Sequence, residues 1–174
     1  MNVAEWRYCP RCAAPLERRL VDGKPRPACP RCGFVYFADP KVTVGVLVED
    51  EKGRILLGRR GVDPRKGFWY IPSGFVDYGE HPESAAVREL KEETGLDVTL
   101  TGLIGLWFFD ERIGGKAGIA IFYRGRAVGG RLQAGDDVVE VGWFAPHELP
   151  KEIAFPVHEE VLAQWVRSIA DRRS

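Results

Sequence analysis

The most informative segment of the chain runs from Gly74 to Leu96 and reads GFVDYGEHPESAAVRELKEETGL. Pro82 suits the first position of a helix because that position needs no N–H donor, and Gly95 suits the position just past its end, where a positive φ is common. The pattern therefore predicts a helix over Pro82 to Thr94. One face of this helix is apolar and carries Ala86, Val87, Leu90 and Thr94.

Three carboxylates gather beside that apolar face, because Glu89, Glu92 and Glu93 fall within an arc of about 100°. Like charges at these spacings oppose helix formation by about 0.2–0.5 kcal/mol per pair. A divalent cation would offset the repulsion, and Mg²⁺ commonly binds through a few carboxylates together with substrate phosphates. Arg88, one turn before Glu92, is expected to hold a glutamate in place through an ion pair. Taken alone, three glutamates on a helix usually form a solvated face.

The full spacing of the segment matches the Nudix box, Gly-x5-Glu-x7-Arg-Glu-apolar-x-Glu-Glu-x-Gly-apolar, at every defined position. The chain therefore resembles the Nudix hydrolases. The resemblance implies that a strand, loop and helix hold Mg²⁺ or Mn²⁺ and that water attacks a phosphorus of a nucleoside diphosphate linked to another group.

The resemblance also implies roles for individual residues. Arg88, Glu89, Glu92 and Glu93 would be the catalytic residues, with Arg88 orienting the glutamates. Glu89 and Glu93 would be the principal metal ligands, and Glu92 a further ligand or a proton acceptor. Glu80 would support the metal through water, and the carbonyl of Gly74 or its neighbour would also reach a metal.

A third carboxylate from elsewhere in the chain is expected to complete the metal shell. Glu140 is the first choice, because an acidic residue commonly stands in the family before a strand resembling Trp143-Phe144. Asp136 and Asp137, in the preceding loop, are the alternatives.

All four cysteines lie near the N-terminus, in two C-x2-C pairs separated by sixteen residues, and these are Cys9, Cys12, Cys29 and Cys32. Two such pairs form tight knuckles that present four thiolates to Zn²⁺, which binds four ligands tetrahedrally. A disulfide framework is the weaker interpretation, because no export signal accompanies the cysteines. Residues 1–40 carry seven Lys/Arg and four Asp/Glu, which four thiolates and Zn²⁺ reduce to a charge of about +1. A scaffold or dimerisation role is therefore favoured over nucleic-acid contact.

A zinc ribbon is thus expected over residues 1–39 and the main hydrolase domain over residues 40–174, since Pro40 restricts Asp39 and ends the first segment. Val42 to Val48 alternates in hydrophobicity and Arg54 to Gly58 is a second apolar run beyond a turn, so the two are predicted to form a hairpin. Later elements are predicted as strands over Leu103 to Phe109, Gly118 to Arg124 and Val138 to Phe144, and a helix over Glu159 to Arg172. The fold class is therefore α/β, a Nudix-type α/β/α sandwich with a mixed sheet.

Aromatic residues are plentiful near the expected cleft. Trp107, Phe109 and Phe155 are the candidates for stacking on a substrate base, although most aromatic residues in strands belong to the core. The histidines His81, His147 and His158 are expected at helix caps or on the surface.

Composition limits the remaining possibilities. With 174 residues and a formal net charge of +0, the chain accommodates one ordinary core with a small appendage and shows no bulk attraction to nucleic acid or anionic membrane. Its apolar runs are far shorter than the ~18 residues of a spanning helix, so a cytoplasmic protein is expected. A homodimer is expected from the resemblance, because related zinc-ribbon enzymes are often homodimers.

The zinc knuckles joined to the box resemble the zinc-ribbon Nudix proteins, whose members hydrolyse NADH, FAD or ADP-ribose. The NADH pyrophosphatases carry a Ser-Gln-Pro-Trp-Pro-Phe-Pro-like segment that is absent here, so FAD or ADP-ribose is the nearest expectation. Alternatives are an RNA-cap or NAD-cap hydrolase and a nucleotide-sensing or RNA-associated binding module. The intact set of box carboxylates favours an enzyme.

Overall fold

The computed structural model describes residues 6–110 and 117–172. The chain divides into two compact units, Met1–Pro40 and Lys41–Ser174. No helix in the described ranges is long and apolar enough to cross a membrane. The strands are β1 Glu17–Val21, β2 Lys24–Ala28, β3 Lys41–Val48, β4 Ile55–Arg60, β5 Trp69–Tyr70, β6 Ser73–Phe75, β7 Leu96–Phe109, β8 Gly118–Gly130 and β9 Val138–Phe144. The helices are α1 Pro82–Thr94, the 3₁₀ turn Pro146–Glu148 and α2 Pro156–Arg172.

The smaller unit is built on one hairpin. Strands β1 and β2 pair antiparallel, and Asp22 and Gly23 between them both have a positive φ, of 51° and 72°. This two-residue turn matches the right-handed twist of paired strands, and Asp-Gly is a favoured sequence for it.

The larger unit contains a mixed four-stranded sheet in the order β6-β3-β8-β7 and an antiparallel sheet in the order β5-β4-β9. Only β3 and β8 run parallel in the mixed sheet. Alternate residues of β3 enter two cores: Val44 packs in a cluster with Leu90 of α1, and Leu47 packs in a cluster with Trp165 of α2. The mixed sheet therefore lies between the two helices, and the predicted fold class is confirmed.

The predicted helix over Pro82 to Thr94 is confirmed at both ends, and the C-terminal helix begins at Pro156 rather than Glu159. Strand β7 begins at Leu96, well before the predicted Leu103. Strand β8 continues past the predicted Arg124 to Gly130.

The predicted hairpin between Val42 to Val48 and Arg54 to Gly58 is wrong. Strand β3 pairs with β6 and β8, and β4 pairs with β5 and β9, so the two runs belong to different sheets apart from one bridge between Glu49 and Ile55. The carboxylate of Asp50 accepts hydrogen bonds from the backbone N–H groups of Lys52 and Arg54, both at 2.9 Å. This closed turn redirects the chain from one sheet to the other.

Candidate active site and zinc-binding centre

Helix α1 begins and ends where its capping residues require. The Nδ1 atom of His81 accepts from the backbone N–H of Glu83 at 3.3 Å, which confirms the expected capping role of this histidine. At the other end Gly95 has φ 71° and donates its N–H to the carbonyl of Lys91. These caps fix the length of the helix and hence the positions of its glutamates.

Glu93 is a buried carboxylate, only 3% exposed. The hydroxyl of Tyr70 donates to its Oε1 atom, and the backbone N–H of Ser73 donates to its Oε2 atom at 2.8 Å. Burial raises the pKa of Glu93 to about 8, although these two hydrogen bonds oppose the rise. The shift therefore comes mainly from lost hydration of the carboxylate, with the charge of Glu89 adding to it and that of Arg60 opposing it.

Glu89 lies one turn earlier, with its carboxyl group against the backbone of Gly74. A Cβ atom at position 74 would occupy the space of that carboxyl group, so only glycine leaves room for it here. Burial raises the pKa of Glu89, while Arg88 lowers it and the charges of Glu92 and Asp136 raise it further.

Arg88 ties the acidic residues together. Its Nε and Nη2 atoms donate to Glu80 at 2.9 and 2.8 Å, and its Nη1 atom donates to Glu89 at 2.9 Å and to Glu92 at 3.0 Å. The hydrogen bonds from Arg88 lower the pKa of Glu80 to about 2, against an opposing effect of burial. Arg88 therefore pairs with Glu80 through two nitrogens and shares Nη1 between Glu89 and Glu92, while Nη2 also donates to the carbonyl of Phe75 at 3.3 Å.

The donor set suits a hard divalent cation. Glu89 and Glu92 each use one oxygen toward Arg88 and keep the other without a hydrogen bond to any described residue. The pKa of the buried Glu93 is raised chiefly by burial, so a cation beside it would favour the ionised form. Carboxylate oxygens of this kind are the ligands that Mg²⁺ and Mn²⁺ prefer.

The expected third carboxylate, Glu140, stands on β9 opposite Arg59 of β4. It forms an exposed ion pair with Arg59 at 3.1 Å. The alternative Asp136 follows Gly135, whose N–H donates to the carbonyl of Glu93 at 3.1 Å, and its charge acts on Glu89. The loop that packs against the end of α1 therefore brings Asp136 near Glu89, while the assignment of Glu140 as the third carboxylate stays a prediction.

A cavity of about 490 Å³ opens beside the box at Ser73, Gly74 and Phe75. Two of the three aromatic candidates, Phe109 and Phe155, line it. The candidate Trp107 does not, because it packs edge-on against Phe122 in the core with ring centroids 5.6 Å apart. Trp107 and Phe109 share a face of β7 and pack against the same core cluster, so alternation along the strand does not distinguish them.

Sequence reasoning did not identify two polar residues of this cavity, Arg60 and His158. The guanidinium of Arg60 lies over the rings of Tyr70 and Phe155, 5.3 and 5.2 Å from their centroids. His158 is 5% exposed, so the expectation of a cap or surface position is wrong for it. Both lie far from the box in the sequence, and no local pattern marks either of them.

The four cysteines of the smaller unit converge. Their Sγ atoms all lie within 4.8 Å of one another, with Cys9 3.5 Å from Cys32 and Cys12 3.5 Å from Cys29. Burial raises the pKa of Cys29, but N–H groups of Cys32 and Arg31 outweigh it and lower the pKa to about 6. The pKa of Cys32 is raised to about 12, since hydrogen bonding from Phe34 is outweighed by burial and the adjoining sulfurs. Thiols that interact in this way suit a divalent ion, because the ion binds the sulfurs as thiolates and displaces their protons.

Comparisons with known proteins agree with this geometry. Residues 39–165 match the family described as NUDIX domain, and residues 7–37 match the family described as Nudix N-terminal. An ADP-ribose pyrophosphatase of Methanocaldococcus jannaschii is 38% identical over 134 residues, 77% of this chain and 78% of that protein. The NAD-capped RNA hydrolase NudC of Stutzerimonas stutzeri is 25% identical over 98% of this chain, which spans 58% of NudC. A NUDIX hydrolase from Nitrosomonas europaea has a crystal structure that superposes with a TM-score of 0.84 at 28% identity, covering 93% of this chain and 91% of that one.

Proposed function

Because this chain belongs to the NUDIX domain family, we propose that it uses a divalent cation, Mg²⁺ or Mn²⁺, to hydrolyse the diphosphate linkage of a nucleoside diphosphate derivative. The products are a nucleoside monophosphate and the phosphorylated remainder. The observation that carries this proposal is the buried carboxylate of Glu93, held by Tyr70 and Ser73 beside a cavity of about 490 Å³. Burying a carboxylate costs several kcal/mol unless a cation or hydrogen bonds offset it, so such a group is kept for a function.

Glu89 and Glu93 are the proposed metal ligands from α1, with the backbone of Gly74 alongside. When bound, a divalent cation supplies positive charge to the diphosphate oxygens and lowers the pKa of a water molecule. Arg88 keeps Glu89 and Glu92 in fixed rotamers, so the carboxylates are already oriented before substrate enters.

Glu92 is the proposed proton acceptor. Its side chain is 48% exposed and therefore within reach of solvent water. It accepts the proton of the attacking water as the new P–O bond forms and the diphosphate P–O bond breaks. The guanidinium of Arg60, held over the rings of Tyr70 and Phe155, provides positive charge on the cavity side of the reacting group.

ADP-ribose is the favoured substrate, since the matched ADP-ribose pyrophosphatase shares 38% identity over 77% of this chain. The test is a panel of ADP-ribose, FAD, NADH and nucleoside triphosphates, incubated with Mg²⁺, Mn²⁺ or a chelator and analysed for released monophosphate. We expect AMP from ADP-ribose only when metal is present. An enzyme that leaves every diphosphate on the panel intact with both metals would refute the proposal.

Two sets of substitutions test the residue assignments. Glu93→Gln and Glu92→Gln should each lower turnover by about 10²–10⁴-fold, as removal of a catalytic carboxylate does. Asp136→Asn should lower turnover more than Glu140→Gln, because Asp136 acts on Glu89 whereas Glu140 is paired with Arg59. An equal loss in the last two variants, or a larger loss for Glu140→Gln, would restore Glu140 as the third carboxylate.

A second candidate function is hydrolysis of NAD-capped RNA. It is favoured by the match to NudC, which extends over 98% of this chain and therefore includes the cysteine segment. Incubating capped transcripts and free ADP-ribose in parallel, at equal concentration, separates the two. The first candidate function requires that free ADP-ribose is hydrolysed faster than the capped transcript.

For the smaller unit we propose a structural zinc ribbon over residues 1–39 that holds one Zn²⁺ through Cys9, Cys12, Cys29 and Cys32. The proposal is supported by Sγ atoms lying within 4.8 Å of one another. A homodimer and a cytoplasmic location belong to the same proposal, and the molar mass in solution tests the dimer directly.

A further inference from the structure

One buried side chain of the cavity has a polar atom that the protein does not use. His158 stands in the first turn of α2 and is 5% exposed. Its ring is surrounded by Tyr70, Phe122 and Phe155, with centroids 6.0, 5.1 and 5.4 Å away. Its Nδ1 atom accepts a hydrogen bond from the backbone N–H of Ile71 at 3.1 Å.

This hydrogen bond fixes the tautomer of the imidazole. Nδ1 accepts and so carries no proton, which leaves the proton of the neutral ring on Nε2. Burial, assisted by the positive charge of Arg60, lowers the pKa of His158 to about 3, so the ring stays neutral. His158 is therefore a fixed donor at Nε2 across the physiological range.

The Nε2–H group has no partner among the residues that the structure describes. It is not fully enclosed either, because Arg26 Nε is the one fully enclosed side-chain nitrogen or oxygen without a partner in those residues. His158 lines the cavity, so a ligand bound there can approach its imidazole ring. A ligand acceptor placed at this donor would add a hydrogen bond, which typically contributes about 0.5–1.5 kcal/mol net.

We propose that His158 donates from Nε2 to an acceptor atom of a nucleobase bound in this cavity, and so selects substrates that carry a heteroaromatic ring. This inference rests on the proposed function for the identity of the substrate. Phe109 and Phe155 line the cavity and provide apolar surface for the flat ring. Arg60 lines the same cavity, and its positive charge suits the phosphate attached to the nucleoside. A volume of about 490 Å³ is enough for a nucleoside.

Two substitutions separate the two nitrogens of His158. His158→Asn keeps an acceptor close to the Nδ1 position for the N–H of Ile71 and removes the donor at Nε2. His158→Gln places an amide donor close to the Nε2 position. If the ring were merely structural, the asparagine variant would be the milder of the two, whereas the proposal requires the glutamine variant to retain ligand binding.

The probe is AMP, which carries a base and contains no diphosphate linkage, and the control probe is ribose 5-phosphate, which lacks the ring. Titration calorimetry of the full-length chain should give an AMP affinity about tenfold weaker in His158→Asn than in wild type, and nearly restored in His158→Gln. The affinity for ribose 5-phosphate should not change in either variant. Among the 1-, 3- and 7-deaza analogues of AMP, one should bind wild type about tenfold more weakly than AMP and bind His158→Asn as AMP does.

An equal loss of affinity for AMP and ribose 5-phosphate in His158→Asn would overturn the inference. So would wild-type affinities for AMP and ribose 5-phosphate that are the same. Because AMP binding does not require turnover, this experiment is independent of the proposed hydrolysis. If the protein cleaves ADP-ribose but His158→Asn binds AMP as wild type does, only the role of His158 is refuted. If His158→Asn weakens AMP binding as expected but the protein cleaves no ADP-ribose, only the proposed hydrolysis is refuted.

Discussion

Glu93 shows how burial of one carboxyl group affects both stability and function. Its pKa is raised from about 4.5 to about 8, so below pH 4.5 the folded and unfolded chains both carry the proton. Between pH 4.5 and 8 the unfolded chain releases that proton first, so the metal-free folded state loses stability as the pH rises, by a few kcal/mol. A divalent cation would reverse this loss because it stabilises the ionised form.

We therefore expect the free energy of unfolding of the metal-free protein to fall more between pH 5 and pH 8 in wild type than in Glu93→Gln. Denaturant titrations at the two pH values measure it. The pKa of Glu89 is raised as well and its charge acts on Glu93, so the difference between the two proteins reports Glu93 together with this interaction. Parallel pH profiles would contradict the assignment of a raised pKa to this residue.

Gly74 is expected to matter for catalysis more than for folding. In Gly74→Ala the new Cβ atom would meet the carboxyl group of Glu89, the far end of a flexible side chain that can turn away. Turnover and metal affinity should fall at least tenfold, since a displaced ligand weakens the site, while the melting temperature shifts by only a few degrees.

The matched control for this change is Gly102→Ala. A Cβ atom at position 102 meets nothing within 4 Å, so turnover should stay within twofold of wild type. Steady-state kinetics with a metal titration measure both variants. Full activity in Gly74→Ala would show that Glu89 does not need its observed position.

At this scale the sequence predicted residue types better than residue positions. The box glutamates, Arg88 and Gly74 follow from fixed spacing, because one helix and one turn determine their geometry. The cap or surface position expected for His158 is wrong and the role of Trp107 stays a prediction, since the surroundings of both depend on strands and helices that are distant in the chain. Aromatic character alone did not distinguish the core position of Trp107 from the cavity position of Phe109.

At the scale of single elements, the conformation and close packing of Gly95 determine where α1 ends. Gly95 combines φ 71° with a position where a Cβ atom would meet the carbonyl oxygen of Arg131. Backbone strain and collision therefore act together in Gly95→Ala, and we expect it to lower the free energy of unfolding by about 2–4 kcal/mol. Thermal and denaturant unfolding measure this effect.

The control for Gly95→Ala is Gly67→Ala. Gly67 also has a positive φ, of 86°, but a Cβ atom there meets nothing within 4 Å. Backbone strain is then the only cost of Gly67→Ala, and we expect the free energy of unfolding to fall by about 1 kcal/mol. Equal losses in the two variants would indicate that the contact with Arg131 has no energetic consequence.

Local signals also explain which elements were predictable. Pro82 and Gly95 mark both ends of α1, so the predicted bounds agree with the structure. Alternation identified β3 and an apolar run identified β4 as strands, but neither pattern specifies a partner strand. The predicted hairpin failed because each strand pairs with segments from later in the chain: β3 with β8, and β4 with β9. Such pairing depends on long-range packing of the two cores, which no short window of sequence contains.

Across the whole molecule, two units follow different routes to stability. The unit Lys41–Ser174 has extensive apolar clusters around its mixed sheet, whereas the unit Met1–Pro40 has one hairpin and four converging cysteines. A segment of about forty residues rarely folds on apolar burial alone and commonly depends on a metal. The sequence predicted these two units, because all four cysteines lie before Pro40.

We therefore expect one Zn²⁺ per chain, and we expect Cys29→Ser to release it, because Cys29 lies within 3.5 Å of Cys12 in the sulfur cluster. The cysteine segment should then become sensitive to trypsin at Arg18 and Arg19, while Lys41–Ser174 keeps its cooperative unfolding transition. Metal analysis, absorption of the cobalt-substituted protein and limited proteolysis measure these effects. The control is Arg31→Ser, an exposed change between Cys29 and Cys32 that leaves all four sulfurs in place and should retain the zinc. A trypsin-resistant, zinc-free Cys29→Ser protein would show that apolar contacts alone hold this segment together.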